Sequence, residues 1–172
     1  KTMKKLILFI LIPFFIACSD DSNNNNDNAP QDNVLIIGGQ EYPLAKGVLQ
    51  FYNAEDGTSD EYETYLVFGE SSMPDNIFLG DSDDSYEGLY IDIGYTSDNP
   101  DGVGNFSGND VGGEYDLTGG DGDESYVSFY EASQLSVSRS GNNYSVQFSS
   151  IDENGNSVEV HFNGNISVVD AN

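Results

Sequence analysis

Residues 135–169 read LSVSRSGNNYSVQFSSIDENGNSVEVHFNGNISVV. Leu135, Val137 and Arg139 alternate with Ser136 and Ser138, and Ser140-Gly141-Asn142-Asn143 then supplies a turn. Tyr144, Val146 and Phe148 alternate with Ser145, Gln147 and Ser149. A second turn, Asp152-Glu153-Asn154-Gly155-Asn156, contains Asn-Gly, a strong hairpin pair because both residues tolerate positive φ. Val158, Val160 and Phe162 then alternate with Ser157, Glu159 and His161. Asn163-Gly164 reads as a bend or bulge, and Ile166 to Val169 as a last strand. A period of two puts alternate side chains on opposite faces of a pleat. Apolar-in, polar-out alternation is the mark of an antiparallel sheet with one wet face.

The same period extends upstream. Val34 to Ile37 reads as a short strand closed by Gly38-Gly39, and Gly47 to Tyr52 as a second, followed by a turn at Glu55-Asp56-Gly57. In Tyr62 to Phe68, Thr64, Leu66 and Phe68 oppose Tyr65 and Val67. Ile77-Phe78-Leu79 is a further short candidate. In Leu89 to Tyr95, Leu89, Ile91, Ile93 and Tyr95 share one face, and Tyr90, Asp92 and Gly94 the other. Glu114 to Leu117 and Ser125 to Tyr130 follow, separated by Gly119-Gly120-Asp121-Gly122. No helical period runs beyond two turns. The expected fold is all-β, an antiparallel meander of about nine or ten short strands forming a sandwich or partly closed barrel. Residues 33–172 would be one β domain.

The start of the chain carries a different signal. Lys4-Lys5 follows Met3, and Leu6 to Ile16 is uncharged and apolar. Such a run is too short for a spanning helix, which needs roughly 20 residues, and suits a signal-peptide core. Phe15-Ile16-Ala17-Cys18 resembles the lipobox of bacterial lipoproteins, with Phe15 in a place where an aliphatic residue is usual. The resemblance implies that residues 1–17 are a signal peptide, that the Cys18 thiol carries diacylglycerol, and that cleavage precedes it. Two or three acyl chains, at about 0.8 kcal/mol per buried methylene, anchor stably. Cys18 is the single cysteine, so no intramolecular disulfide competes for it. Residues 18–32 are an Asn/Asp/Ser tether without apolar residues to bury, expected to be disordered. Its opening, Ser19-Asp20-Asp21-Ser22, is similar to the export signal of Bacteroidota surface lipoproteins. Residues 135–169 also resemble the C-terminal hairpins of Bacteroidota lipoproteins to which no activity is attached. Together these imply a β-rich, palmitate-type lipid-anchored protein of the outer membrane, displayed at the cell surface.

Charge narrows the partners. Beyond residue 17 the chain has 30 acidic residues against two basic ones, Lys46 and Arg139, a net charge near −28. That argues against nucleic acid, whose phosphates require basic neutralisation. It also argues against docking on anionic lipid through the protein surface, so the membrane partner is reached through Cys18. With 11 Tyr and 10 Phe, the chain has the aromatics for a packed core that disordered acidic chains lack.

Three loops cluster hard oxygen ligands: Asp81-Ser82-Asp83-Asp84, Asp98-Asn99-Pro100-Asp101-Gly102 and Asp121-Gly122-Asp123-Glu124. Ca²⁺ takes six to eight oxygens, often from carboxylates spaced two apart. Asp81, Asp83, Asp84, Asp121, Asp123 and Glu124 are therefore the candidate ligands for weak calcium. Neither of their loops fits the EF-hand pattern, because Tyr86 and Tyr126 fall where its sharp turn needs Gly, and solvated turn residues are the plainer reading. No other cofactor is expected, and one His and one Cys are too few for a soft-metal site.

Catalysis is not expected. Ser157, Glu159 and His161 share one strand face, which does not make them converge as a triad must. Tyrosine offers another chemistry, since its ring stacks on sugars or anchors a protein partner. Tyr90 and Asp92 share one presumed wet face, and Tyr126, Ser128 and Tyr130 another. Tyr90, Asp92, Tyr126 and Tyr130 are thus the candidate binding residues if those faces are open, and strand filler if they are covered. The expected role is non-catalytic binding of a glycan, a protein or a small ligand. A structural or assembly accessory of an outer-membrane complex is the alternative, and a small hydrolase a more distant one.

Overall fold

The structure, a computed structural model, describes residues 33–53, 61–75, 77, 86, 88–117 and 126–171. Ten strands form one continuous sheet. They are β1 (Val34–Ile37), β2 (Gln40–Pro43), β3 (Lys46–Asn53), β4 (Tyr62–Gly69), β5 (Tyr90–Ser97), β6 (Gly104–Ser107), β7 (Val111–Asp116), β8 (Val127–Ser140), β9 (Asn143–Asp152) and β10 (Ser157–Asp170). One 3-10 turn, Gly108–Asp110, separates β6 from β7. The all-β expectation holds.

Their pairings close a ring, β3–β4–β5–β7–β8–β9–β10 and back to β3. Six of these contacts are antiparallel, and the closing β10–β3 contact is parallel. Parity requires it: when direction reverses at each step around an odd-membered ring, the last strand must run with the first. A pure meander has no such pair. The two longest strands serve two neighbours along one edge. Residues 158–161 of β10 pair with β1, and 166–170 with β3. Residues 127–129 of β8 pair with β7, and 134–137 with β6. The barrel is therefore partly closed, with β1–β2 and β6 flanking the side where β8, β9 and β10 continue.

The C-terminal hairpins set the register of the interior. Leu135 opposes Phe148, which opposes Val160, which opposes Leu35. All four are buried. The intervening row, Ser136, Gln147 and His161, faces outward. Aromatic pairs knit the interior: Phe68–Phe162 at 4.8 Å, Phe129–Phe148 at 5.0 Å and Tyr95–Phe106 at 4.5 Å between centroids. Burying each such ring contributes about 1.5–3 kcal/mol. The ring encloses a packed core, as small barrels do.

Asp152 secures the last hairpin. Its carboxylate accepts from the backbone N–H of Asn154 (2.9 Å) and of Asn156 (2.8 Å), from Asn156 Nδ2 (3.0 Å) and from Tyr115 Oη (2.7 Å). Burial raises its pKa, but these hydrogen bonds outweigh burial and hold it below the ordinary carboxylate value.

Two expected strand pairs are single strands. The expected strands ending at Tyr130 and beginning at Leu135 merge into β8 (Val127–Ser140), which bends through register shifts between Phe129 and Gln134, with Ala132 at φ 54°; Ser125 lies outside the described residues. Bulges of this kind turn a strand without ending it. Ser157–Phe162 and Ile166–Val169 merge into β10 across Asn163-Gly164. Ile77 lies in a turn, and Phe78 and Leu79 fall outside the described residues.

Candidate functional site

β3, β4, β5 and β7 each present a second face, turned away from the barrel interior. A satellite apolar cluster of Val48, Val67, Met73 and Tyr90 covers part of it. Met73 is carried there by the segment after β4, held by Ala45 N–H donating to Gly69 O and by Lys46 Nζ donating to Met73 O. Tyr90 consequently does not stand on a wet face. Its ring is 5% exposed and lies 6.3 Å from Tyr86 and 6.2 Å from Tyr126. The reading of Tyr90 as an open contact is corrected for that reason: chain from outside the strand folds over it.

Farther along the same face the described residues leave a cleft of about 470 Å³. Such a volume falls in the range of small-ligand sites. Gly94 and Gly112 are cross-strand partners and make its floor. A Cβ at Gly94 would sit 3.2 Å from Tyr65 Cε1, and one at Gly112 3.0 Å from Tyr130 Cδ1. The two tyrosine rings thus lie against bare glycine backbone, one from β4 and one from β8. Tyr130 is 64% exposed. Tyr52 packs edge-on against Tyr65 at 5.9 Å and buttresses that wall.

Asp92 lines the same cleft, two residues before Gly94. Its Oδ1 is shut off from solvent and has no hydrogen-bond partner among the described residues. Cross-strand, Asp92 faces Val67 on one side and Glu114 on the other. Burial, and secondarily the Glu114 charge, push the Asp92 carboxyl up to about 8. Burial raises Glu114 as well. Tyr65 is also raised, first by burial and then by Glu63 and Asp92. Glu63 and Asp110 add two more carboxylates to the lining. The chain's two basic residues past residue 17 are engaged elsewhere, Lys46 with Asp75 at 2.6 Å and Arg139 with Asp101.

Of the four residues singled out by sequence, then, Asp92 and Tyr130 line the cleft together. Tyr90 and Tyr126 stack on each other beside it, with Tyr126 37% exposed. Sequence reading missed Tyr65, Glu63, Gly94, Gly112 and Glu114. Alternation already put Tyr65 opposite Leu66, but the registers across β4, β5 and β7 that gather these residues leave no trace in one chain.

Cys18, Asp81, Asp83, Asp84, Asp121, Asp123 and Glu124 lie outside the described residues. The third acidic loop is described, and Asn99, Asp101 and Gly102 are engaged within the protein. Asp101 pairs with Arg139, Asn99 Oδ1 accepts from Val103 N–H, and Gly102 O accepts from Tyr95 Oη at 2.9 Å. Among the described residues no three His, Cys, Asp or Glu side chains group as a metal site.

A second cleft, about 530 Å³, lies on the outer face of β6, β8, β9 and β10. Two polar rows cross its floor: Asn105, Ser136, Gln147, His161, and Ser107, Gln134, Ser149, Glu159. His161 Nε2 is 3.6 Å from Glu159 Oε2. It is the larger of the two, yet none of the buried unpartnered atoms found among the described residues (Gln50 Oε1, Asp92 Oδ1, Tyr144 Oη) belongs to its lining. The Tyr65–Asp92–Tyr130 cleft is therefore the better candidate site. No known protein family, curated protein or solved structure matches this chain.

Proposed function

We propose that this protein is a non-catalytic binding module, held to the outer membrane by lipid on Cys18 and displayed at the cell surface, whose ligand seats between Tyr65 and Tyr130. One observation carries the binding reading: the buried Oδ1 of Asp92, which lines an open, tyrosine-walled cleft, has no hydrogen-bond partner among the described residues. An unsatisfied buried acceptor costs about 1–3 kcal/mol, more when charged. A ligand that donates to it recovers that loss. Tyrosine walls suit the flat faces of sugars and the side chains of proteins.

The test is a ligand-observed NMR screen of oligosaccharides, amines and short peptides, repeated with Tyr130→Ala. Hits that vanish in the variant support the reading. A screen without hits, or hits indifferent to Tyr65 and Tyr130, removes it. The anchor is tested in cells with clickable palmitate, which labels the wild-type chain and not Cys18→Ser. Equal labelling of the two would refute the lipid assignment.

A further inference from the structure

We infer that the ligand of the Tyr65–Tyr130 cleft carries an ammonium group, which seats against Asp92 with the two tyrosine rings around it. This rests on the binding reading and narrows it. Asp92, Glu63 and Asp110 line the cleft, and Glu114 stands beside Asp92 across the strand pair. Among the described residues no cation faces them: Lys46 is held by Asp75 and the Met73 carbonyl, and Arg139 by Asp101. No described residue of the chain supplies the positive charge that would satisfy Asp92, and a ligand can bring it.

The shape of the site selects the kind of cation. A compact metal ion needs several oxygens converging on one point, and no such group occurs among the described residues. An organic ammonium needs one good carboxylate and aromatic surface for its remaining faces. Ring walls over Gly94 and Gly112 provide that surface, through the attraction of a cation to the π face. The missing side chains at both glycines let the two rings lie against the strand backbone, which sets the ring walls beside Asp92.

With the cleft empty, the Asp92 carboxyl is held up to about 8 by burial and by Glu114. A seated cation reverses that balance, because an opposite charge within contact distance favours the ionised form. The Asp92 proton leaves to solvent as the ammonium arrives, and the ligand keeps all of its own. The groups facing Asp92 are Val67 and Tyr65 from β4 and Glu114 from β7, so no cation among the described residues competes for it.

Glucosamine and N-acetylglucosamine separate this inference from general sugar binding, since they differ by the charge on one nitrogen. Tetramethylammonium separates it from any sugar contact. Each would be titrated into the protein below neutral pH, following the resonances of Gly94, Gly112 and Tyr130. Glucosamine and tetramethylammonium should bind, with N-acetylglucosamine about tenfold weaker or silent. Asp92→Asn should weaken the cations about tenfold and leave the melting temperature at least as high. Tyr130→Ala, at an exposed position, should weaken tetramethylammonium several-fold through the lost ring. Equal binding of the two sugars, or no effect of Asp92→Asn, overturns the ammonium inference while leaving a binding cleft in place. Silence from all three probes also overturns it, and the broader screen then decides the binding reading separately.

Discussion

Replacing Asp92 by Asn should change how the protein's stability depends on pH, in a direction fixed by the sign of one shift. Asp92 rises from an ordinary 3.8 to about 8 on folding, because burial and the Glu114 charge penalise its ionised form. Well below pH 3.8 the folded and unfolded chains both hold the proton, and the group costs nothing. As pH climbs, the unfolded chain releases its proton first, so the folded state loses stability steadily until it ionises too, near pH 8. At about 1.4 kcal/mol per pH unit the ceiling of this loss is about 6 kcal/mol. Asp92 retains some exposure as a residue, and effective dielectrics in proteins are high, so a loss of about 2–3 kcal/mol is expected. Asn cannot ionise and escapes it. Urea unfolding, followed by tyrosine fluorescence or circular dichroism, would be run on both proteins from about pH 4 to about pH 9. The variant's advantage should grow across that range and level off above pH 8. Taking the difference between the two proteins cancels the titration of the carboxylates distant from Asp92, leaving Asp92 and its coupling to Glu114. An advantage that stays flat with pH refutes the claim that Asp92 is a buried acid without a partner.

The Asp152 knot should behave in the opposite sense. Asp152→Ala strands the Tyr115 hydroxyl and two hairpin N–H groups, and should cost about 3–4 kcal/mol in urea unfolding; Asp152→Asn keeps a side-chain oxygen that accepts from the two backbone N–H groups and should cost about half that. Because the folded state lowers the Asp152 pKa, its contribution is present above the ordinary carboxylate range and fades as pH falls through it. Gly113→Ala places a Cβ 2.0 Å from the Asp92 carbonyl oxygen and should cost more than about 3 kcal/mol or prevent folding, while Gly141→Ala meets no neighbour and should cost only the ~1 kcal/mol of its φ of 64°. Similar melting temperatures for those two variants would contradict the β5–β7 packing.

An all-β domain was legible in the sequence because alternation of apolar and polar residues is a local property of each strand. It survives in Val34–Ile37, Tyr62–Gly69, Tyr90–Ser97 and the hairpins from Val127 to Asp170. The two tight turns, at Gly141 and at Asn154-Gly155, could be read for the same reason, since backbone conformation there depends on residues a few places apart. Sequence by itself also established the charge balance: two basic residues against 30 acids past residue 17. What it could not supply was register and closure. The parallel β10–β3 contact joins residues more than a hundred places apart, and it exists because seven strands close the ring. Only that tertiary arrangement decided the fate of equivalent-looking residues. Tyr90 and Asp92 alternate identically along one strand, yet Tyr90 is covered by Met73 and Tyr86, while Asp92 opens between Tyr65 and Tyr130. Period two says which face a side chain takes; what lies over that face is set by distant chain, whose position follows from packing the whole barrel.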